Sequence, residues 1–303
     1  MTRTIWLASY PKSGNTWFRM LVANLNAIDT PVDINALPER GGIASARAPF
    51  DHLTLIDSGL LTHDEIDRLR PRVYEELRRG EEDDEYDAAQ AAETVRFVKT
   101  HDAYTRTDTG EPMLAGAKGA DGAILIVRDP RDVAPSLANH NRSTVDAAID
   151  FMCDDDAAFC GRTDRQLNQL RQQLPSWSGF HDGWLGQTDI PLHLIRYEDM
   201  HADTASVLRR ALAFAGRAAS DEQIARAAAF ARFDELKKQE DERGFREAPN
   251  ARAGGNFFRR GETGTWRNEL TADEVARIEA AHARMMRRLG YRLSSDVSEG
   301  EAA

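Results

Sequence analysis

A strand, a loop and a helix within residues 5–23 place the strongest constraint on how this chain folds. An apolar segment leads into Tyr-Pro-Lys-Ser-Gly-Asn-Thr-Trp at positions 10–17, and an amphipathic helical pattern follows. A glycine among small polar residues lets consecutive backbone N–H groups turn towards one anion, and a helix N-terminus adds partial positive charge. Lys12 supplies a full charge, and Ser13 and Thr16 supply hydroxyl groups. The segment therefore predicts a phosphate-binding loop at the end of a first β-strand.

This loop differs from the standard nucleotide-triphosphate loop. It contains no Gly-x-x-x-x-Gly-Lys-Ser/Thr, and Lys12 precedes Gly14 instead of following it. The alternative is a plain strand-to-helix turn with a capping hydroxyl group. Such a turn would explain Ser13 but leaves the Pro-Lys-Ser-Gly combination without a role, so we favour phosphate binding.

Four short segments rich in Val, Ile, Leu or Phe have strand character, at 4–9, 95–100, 123–128 and 192–197. Three of them are nearly continuous apolar runs, which are typical of a parallel sheet covered on both faces. Helical patterns separate or follow them at 16–25, 64–79, 130–141, 163–172, 204–215, 221–230 and 272–289. This order predicts an α/β protein with a P-loop-like three-layer fold, in which helices flank a central, mostly parallel sheet.

Length and charge narrow the domain organisation and the partners. The 303 residues, 41% of them hydrophobic, predict one domain over 1–293, and the acidic tail 294–303 is expected to be disordered. A net charge of -11 argues against non-specific binding to nucleic acid or to an anionic membrane. Without a run of eighteen apolar residues or a leader pattern, we expect a cytoplasmic protein.

Two further segments and two cysteines complete this survey. The acidic segment 80–87 is predicted to be a solvated linker, and 237–258 is either a lid or an ordinary surface loop. Cys153 and Cys160 form no CxxC pair and have no histidine cluster at zinc spacing, so we expect free thiols and no metal site.

The loop at 10–17 resembles the 5′-phosphosulfate loop of the sulfotransferases that use PAPS (3′-phosphoadenosine 5′-phosphosulfate), whose usual pattern is Pro-Lys-Ser/Ala-Gly-Thr-Thr-Trp. Asn15 replaces the more usual threonine. The resemblance implies that the donor, and the product PAP, contact Lys12, Ser13, Gly14, Asn15, Thr16 and Trp17.

A second stretch, Ile-Val-Arg-Asp-Pro-Arg-Asp-Val, ends the third predicted strand, and Ser136 lies two turns along the next helix. In the family that this stretch resembles, the equivalent Arg and Ser hold the 3′-phosphate of PAPS. The resemblance therefore assigns that role to Arg128 and Ser136. The alternative is that Arg128 and Asp129 pair locally with Arg131 and Asp132 as surface charges.

Two more stretches extend the resemblance. Residues 258–268 are similar to the family signature Arg-Lys-Gly-x-x-Gly-Asp-Trp-Lys-Asn, with Thr265 in place of the Asp. They imply phosphate contacts from Arg259, Arg260 and Gly261. The strand ending in Arg-Tyr-Glu-Asp resembles the family strand whose Tyr contacts the adenine. This implies an adenine site formed by Tyr197, Phe233 and Trp17, with Ala231 in place of a family hydroxyl residue.

The resemblance also implies the chemistry. Sulfuryl transfer needs a base at the acceptor and charge stabilisation at the departing phosphate. The second predicted strand ends in Lys-Thr-His, which resembles the family segment whose His removes the acceptor proton. We therefore predict His101 as the base, Lys12 as the electrostatic catalyst of the leaving group, and Lys99 as an aid to the sulfuryl group. His140 is a weaker candidate.

The sequence is identified as a member of the PAPS-dependent sulfotransferase family, with a hydroxyl or amine of a small molecule as the acceptor. A carbohydrate or glycolipid acceptor stays open, as do a kinase-like phosphotransferase and a non-catalytic nucleotide-binding module. Aromatic residues in the variable segments favour an apolar alcohol or phenol: Phe50, Tyr104, Phe151, Phe159, Trp177, Phe180 and Trp184. The family's C-terminal dimer pattern is altered by Ala272 and Ala276, so oligomerisation by that pattern is not expected.

Overall fold

A computed structural model describes residues 2–37, 42–80, 95–248 and 257–298. Its strands are β1 Arg3–Ser9, β2 Val95–Thr100, β3 Gly122–Val127, β4 Ala158–Phe159, β5 Gln172–Gln173 and β6 Leu192–Arg196. Its helices are α1 Asn15–Ala23, α2 Arg47–Thr54, α3 His63–Gly80, α4 Pro130–Asn141, α5 Val145–Cys153, α6 Trp177–Gly186, α7 Tyr197–Ala202, α8 Thr204–Ala215, α9 Asp221–Phe230, α10 Phe233–Arg243, α11 Trp266–Glu269, α12 Ala272–Arg288 and α13 Ser294–Ser298.

The four predicted strands form one parallel sheet in the order β2-β1-β3-β6. The register pairs Ala8 of β1 with Thr100 of β2 and with Leu125 of β3, so the strands end at nearly the same level. The α/β fold prediction is confirmed. Because all four strands are parallel, the residues that follow them meet at one edge of the sheet.

The two faces of the sheet bury two separate apolar clusters. Trp6 and Ala8 of β1 pack into one cluster, whereas Ile5 and Leu7 pack into the other. This division follows from the alternation of side chains along a strand. The α4, α5, α6 and α12 helices contribute to the first cluster, and α1, α7, α8 and α9 contribute to the second. The result is a three-layer arrangement that leaves the carboxyl edge of the sheet for function.

The prediction of a helix at 163–172 is wrong. Residues 163–171 form a loop, and Gln172 begins strand β5, which pairs antiparallel with β4. Leu170 N donates to Ser45 O at 2.7 Å, and Arg47 N donates to Asn168 O at 3.0 Å. These backbone groups bond to a segment more than 100 residues away, which a local helical pattern does not report.

Other predicted boundaries also differ. Helix α10 occupies the start of the segment 237–258 that we predict as a lid or loop, while 249–256 lie outside the described residues. The predicted tail begins with α13, because Glu279 accepts hydrogen bonds from both the backbone N–H and the hydroxyl of Ser294. Residues 81–87 of the predicted acidic linker and 299–303 of the tail lie outside the described residues.

Candidate active site

The predicted phosphate-binding loop turns sharply between β1 and α1. Lys12 and Gly14 have φ values of 68° and 103°, in the left-handed region. A Cβ atom on Gly14 would lie 2.6 Å from Cδ2 of Tyr197, so both the backbone conformation and the space require glycine there. The Ser13 side chain is buried, and within the described residues its hydroxyl has no hydrogen-bond partner. These features are typical of a loop shaped to receive an external ligand.

The Asn15 side chain bonds to strand β1. Its amide nitrogen donates to Leu7 O at 2.9 Å and to Ser9 Oγ at 3.2 Å. Both bonds tie the start of α1 to β1. The Asn15 side chain therefore holds the loop, and its backbone N–H is the group left at the helix N-terminus.

A cavity of about 1220 Å³ opens at the carboxyl edge of the sheet. It brings together nearly all of the predicted site residues from distant parts of the chain. They are Lys12, Gly14, Asn15, Thr16, Trp17, Lys99, His101, Arg128, Ser136, Tyr197, Phe233, Arg259, Arg260 and Gly261. Ser13 does not line the cavity, because it is buried beneath the loop. His140, the weaker base candidate, also lines it.

Arg128 lies between the phosphate-binding loop and the C-terminal signature segment. Its guanidinium donates to Lys12 O and to Glu262 O, both at 3.1 Å, and lies 4.4 Å from the ring centroid of Tyr197. The alternative of local surface pairing is wrong for Arg128, since Asp129 pairs with Arg131 at 2.7 Å instead. Among the residues that the structure describes, carbonyl groups and a ring are its only partners, which leaves the charge of the guanidinium available to an anion.

Asp132 anchors the C-terminal signature segment to the start of α4. Its carboxylate accepts hydrogen bonds from Gly264 N at 2.6 Å, Trp266 N at 2.9 Å and the Thr265 hydroxyl at 3.3 Å. The two motifs that we predicted separately therefore form one structural unit. Sequence reasoning missed this role of Asp132, although its place within the Arg-Asp-Pro-Arg-Asp motif was a signal.

Arg259 and Arg260 share a carboxylate partner in this structure. Arg259 Nη2 lies 3.1 Å from Oε1 of Glu269, and Arg260 Nη1 lies 3.6 Å from the same oxygen. Gly261 follows with a φ of 67°, and a Cβ atom there would lie 2.0 Å from Cδ2 of Phe233. Only glycine lets the backbone pass so close to that ring.

The predicted adenine-site aromatics, Trp17, Tyr197 and Phe233, all line the cavity. The rings of Trp17 and Tyr197 meet edge-on with centroids 5.5 Å apart, and Trp17 Nε1 donates to Ala231 O at 2.8 Å. Phe233 begins α10 and is half-buried beside Gly261. Ala231 thus takes part through its backbone, which does not depend on the missing hydroxyl group.

His101 is held in one tautomer. Its Nδ1 lies 2.7 Å from Ser9 O, and a carbonyl oxygen can only accept, so Nδ1 carries the proton and Nε2 is left as an acceptor. Burial, reinforced by the Lys99 charge, lowers the pKa of His101 to about 3. The imidazole is therefore neutral at ordinary pH.

The half-buried Lys12 side chain lies against an aromatic ring. Its ammonium nitrogen lies 3.7 Å from the ring centroid of Phe257. Burial lowers the pKa of Lys12 to about 7, and the charges of Arg128 and Lys99 act in the same direction. An anion bound in the cavity would stabilise the charged form.

Glu247 is a cavity residue that sequence reasoning missed. Its carboxylate pairs with Arg19 at 2.7 Å and with Lys99 at 3.3 Å, and it accepts from the Thr16 hydroxyl at 3.5 Å. Burial would raise the pKa of Glu247, but Lys99 and Arg19 outweigh that effect and lower it to about 2. An internal carboxylate therefore holds groups that we predict to bind the sulfuryl end of the donor.

A buried ion pair supports the backbone beside His101. The Arg70 side chain is fully buried, and its Nη1 lies 3.1 Å from Oδ1 of Asp102. Asp102 also accepts from Gln173 N at 2.9 Å, while its carbonyl accepts from Trp184 Nε1 at 3.0 Å. A buried pair with this many partners fixes the position of the chain immediately after His101.

The aromatic residues predicted for the acceptor side are mostly in the core. Phe50, Tyr104, Trp177, Phe180 and Trp184 are buried in the cluster beneath the sheet. Phe151 packs against that cluster from a half-buried position. Of the seven, Phe159 alone lines the cavity. Six of the seven residues therefore do not line the cavity, and an apolar acceptor stays a prediction.

The described residues contain no group of three or more His, Cys, Asp or Glu side chains arranged to hold a metal ion. Cys153 is exposed and Cys160 is half-buried, and both are free thiols. In the same part of the chain, no helix has the length and apolar character needed to cross a membrane.

Comparison with known proteins identifies the family. Residues 2–290 match the family model described as a sulfotransferase domain. The chain belongs to the sulfotransferase family. This sulfotransferase is an enzyme of the PAPS-dependent class, as its loop and signature segments predict.

Two curated relatives are sulfotransferases. Cytosolic sulfotransferase 17 of Arabidopsis thaliana is 24% identical, over 94% of this chain and 75% of its own length. Luciferin sulfotransferase of Photinus pyralis is 25% identical, over 77% of this chain and 56% of its own length.

Solved structures show the same fold. Mouse sulfotransferase SULT7A1 complexed with PAP superimposes with a TM-score of 0.56 and 20% identity, covering 99% of this chain and 89% of that one. Retinol dehydratase in complex with androsterone and PAP gives a TM-score of 0.54 and 21% identity, covering 96% and 83%.

Proposed function

We propose that this sulfotransferase moves a sulfuryl group from PAPS to a hydroxyl group of a small organic acceptor, with His101 as the base. The observation that carries this proposal is the bond from His101 Nδ1 to Ser9 O, which leaves Nε2 as a free acceptor in the cavity next to the phosphate-binding loop. A non-catalytic nucleotide site would have no use for a base held in that tautomer.

The donor would be held at two ends. The loop N–H groups and Lys12 suit the 5′-phosphosulfate, because they present positive charge at the N-terminus of α1. Arg128 and Ser136 suit the 3′-phosphate, and Arg259, on the signature segment that Asp132 anchors, lines the same cavity. The rings of Trp17, Tyr197 and Phe233 in the cavity suit the adenine. The requirement for two separate phosphate sites is what favours PAPS over a simple nucleotide.

The reaction then follows from the charges of these groups. The acceptor oxygen attacks sulfur, the S–O bond to the phosphate breaks, and the acceptor proton passes to His101 Nε2. The leaving phosphate oxygen keeps the electron pair beside Lys12, whose ammonium stabilises it. Lys99 would neutralise the transferring sulfuryl group once Glu247 no longer holds it.

His101 is a weak base before the donor binds, because burial and Lys99 lower its pKa. The negative charge of bound PAPS would raise that pKa towards the ordinary value, since it stabilises the imidazolium. The base therefore gains strength when the donor is present, and it is neutral and ready to accept a proton beforehand.

The test compares turnover with donor binding in His101→Ala. Transfer of labelled sulfate from PAPS to a panel of phenols, alcohols, amines and sugars should fall by about 10²–10⁴-fold, the usual contribution of general base catalysis. PAP affinity, measured by calorimetry, should stay within about twofold, because His101 is not a phosphate-binding group.

His52→Ala is the matched control, since His52 is exposed on α2 and does not line the cavity. Near wild-type turnover in His101→Ala would exclude the base assignment. Loss of PAP binding in that variant would instead show a structural role for His101. Wild-type protein that bound PAP but transferred no sulfate to any acceptor would leave only the binding part of the proposal.

A further inference from the structure

Two cations and one carboxylate form a cluster beside the phosphate-binding loop. Oε1 of Glu247 lies 2.7 Å from Nη1 of Arg19, and Oε2 of Glu247 lies 3.3 Å from Nζ of Lys99. The Thr16 hydroxyl lies 3.5 Å from that second oxygen. All four residues line the cavity. We call the three charged side chains, Arg19, Lys99 and Glu247, the charge cluster.

The charge cluster lies where the sulfuryl end of the donor is expected. Thr16 belongs to the first turn of α1, whose N-terminus suits the 5′-phosphosulfate, and Lys99 lies in β2 two residues before His101. The transferring group must lie between the donor phosphate and the base. The Glu247 carboxylate contacts one residue from each side of that position, so its charge acts on the group that is transferred.

The Glu247 carboxylate is within reach of a ligand. Its side chain is 31% exposed, compared with 15% for Lys99 and 16% for Arg19. Burial alone would raise the pKa of Glu247, but Lys99 and Arg19 lower it to about 2, so the carboxylate is ionised. A ligand in the cavity therefore meets this negative charge as well as the two cations.

The charge cluster carries one net positive charge, since two cations accompany one carboxylate. Burial lowers the pKa of Lys99, and Glu247 acts in the opposite direction by stabilising the ammonium form. The sulfuryl end of PAPS carries a single negative charge. A terminal phosphoryl group in the same position ionises a second time near pH 6, so it carries nearly two charges above neutral pH. The net charge of the cluster therefore matches a sulfuryl group and not a phosphoryl group.

We propose that Glu247 determines donor specificity, because its carboxylate leaves the site with the charge that suits a sulfuryl end and disfavours a phosphoryl end. The inference rests on the proposed function, since it assumes that the sulfuryl end of the donor lies at Lys99. Arg19, the nearer of the two cations, keeps the carboxylate in place when Lys99 turns to the sulfuryl group. The repulsion from Glu247 is then larger for an end group with two negative charges.

Three ligands test this by titration calorimetry in the absence of an acceptor: PAPS, adenosine 3′-phosphate 5′-diphosphate and PAP. The diphosphate has phosphorus in place of the sulfur of PAPS, so it adds charge with little change of shape, and PAP lacks the terminal group. At about pH 7.5, wild-type protein should bind PAPS about tenfold more tightly than the diphosphate. Equal affinities, or tighter binding of the diphosphate, would overturn the inference.

Glu247→Gln removes the charge and keeps the shape of the side chain. The preference for PAPS over the diphosphate should fall by about tenfold, because the site then carries two positive charges and a bound anion keeps Lys99 charged. PAP affinity should rise less than diphosphate affinity, since PAP has no terminal group. Equal changes for all three ligands would make Glu247 a structural residue and the inference wrong.

Asp234→Asn is the matched control. It also removes a carboxylate that lines the cavity, but Asp234 pairs with Arg232 at 3.0 Å beside the start of α10 and makes no contact with the charge cluster among the described residues. The preference for PAPS should stay within about twofold of wild type. A change as large as that in Glu247→Gln would show that the total charge of the cavity, and not Glu247, sets the preference.

The outcomes separate this inference from the proposed function. Failure of the wild-type protein to bind PAP and PAPS would refute the proposed function itself. Sulfate transfer by a protein that bound PAPS and the diphosphate equally would keep the proposed function and refute the role of Glu247. If Glu247→Gln does not fold, as judged by its thermal unfolding, Arg19→Met tests the same charge balance. It removes a positive charge, so the preference for PAPS should rise, and a fall would contradict the inference.

Discussion

The low pKa of Lys12 should make the binding of PAP depend on pH. The Lys12 side chain is half-buried, and the loss of solvent around its ammonium lowers its pKa from 10.5 to about 7. Arg128 and Lys99 act in the same direction, whereas the carboxylates of Glu240 and Glu247 oppose them. A bound phosphate would favour the ammonium form, so PAP binding should take up a proton wherever the free protein has lost it.

The sign and size of the effect follow from linkage. The free protein holds this proton below pH 7 and loses it above, whereas the complex keeps it, so affinity falls as pH rises. With a free pKa of about 7, the affinity should weaken about fivefold between pH 7 and pH 8 and about fiftyfold between pH 7 and pH 9. The phosphates of PAP, which titrate near pH 6, contribute little over that range.

Titration calorimetry in buffers of different ionisation enthalpy measures both quantities. Proton uptake on binding should rise from about 0.5 at pH 7 to about 0.9 at pH 8. Lys12→Arg is the matched control, because a guanidinium stays charged throughout and should flatten the dependence. It also separates Lys12 from Lys99, the other cavity lysine whose pKa burial lowers.

Constant affinity between pH 7 and pH 9, without proton uptake, would refute this account of Lys12. The same pH dependence in Lys12→Arg would assign the titration to another group. Lys12→Ala should weaken PAP binding and turnover together, because one ammonium serves both the bound phosphate and the leaving group.

Three further substitutions test the scaffold around the cavity. Asp132→Ala should weaken PAP binding about tenfold in calorimetry, because the backbone N–H groups of the signature segment lose their acceptor. Unchanged affinity would show that the segment keeps its conformation without Asp132. Gly261→Ala should also weaken PAP binding and lower the melting temperature, since the new Cβ would lie 2.0 Å from the Phe233 ring. If both quantities matched those of the wild-type protein, the loop would be able to move away from Phe233 at no cost. Arg70→Met should lower the free energy of unfolding in urea by about 3–5 kcal/mol, because it leaves the Asp102 charge buried alone. The double variant with Asp102→Leu should recover part of that loss, and an equal or larger loss in the double variant would argue against a coupled pair.

Much of the donor site was predictable from the sequence because its signals are local. Short apolar runs specify the four parallel strands, and the residues after parallel strands necessarily meet at one edge of the sheet. Lys12, His101, Arg128 and Tyr197 each follow a different strand and all line the cavity. The roles assigned to them in catalysis and binding stay predictions until they are measured.

The contacts that set the chemistry of the cavity could not be predicted from the sequence. The tautomer of His101 depends on a carbonyl 92 residues away, and the partners of Glu247 lie 148 and 228 residues away. Asp132 reaches a segment 132 residues further along. Local patterns do not report such contacts, because they form only when the sheet brings the segments together.

The phosphate-binding loop shows which properties the sequence determines and which depend on the tertiary structure. Its sequence by itself determined a strand, a turn that requires glycine at position 14 and a helix N-terminus suited to an anion, since all three follow from neighbouring residues. Only the tertiary structure decided that the Lys12 ammonium lies against Phe257 and that Glu247 holds Lys99. It likewise decided that most of the predicted acceptor aromatics belong to the core while the amides of Asn168, Gln169 and Gln172 line the cavity. Burial and charge pairing are properties of the packed chain, and they set the pKa values and the free hydrogen-bonding groups on which the reaction depends.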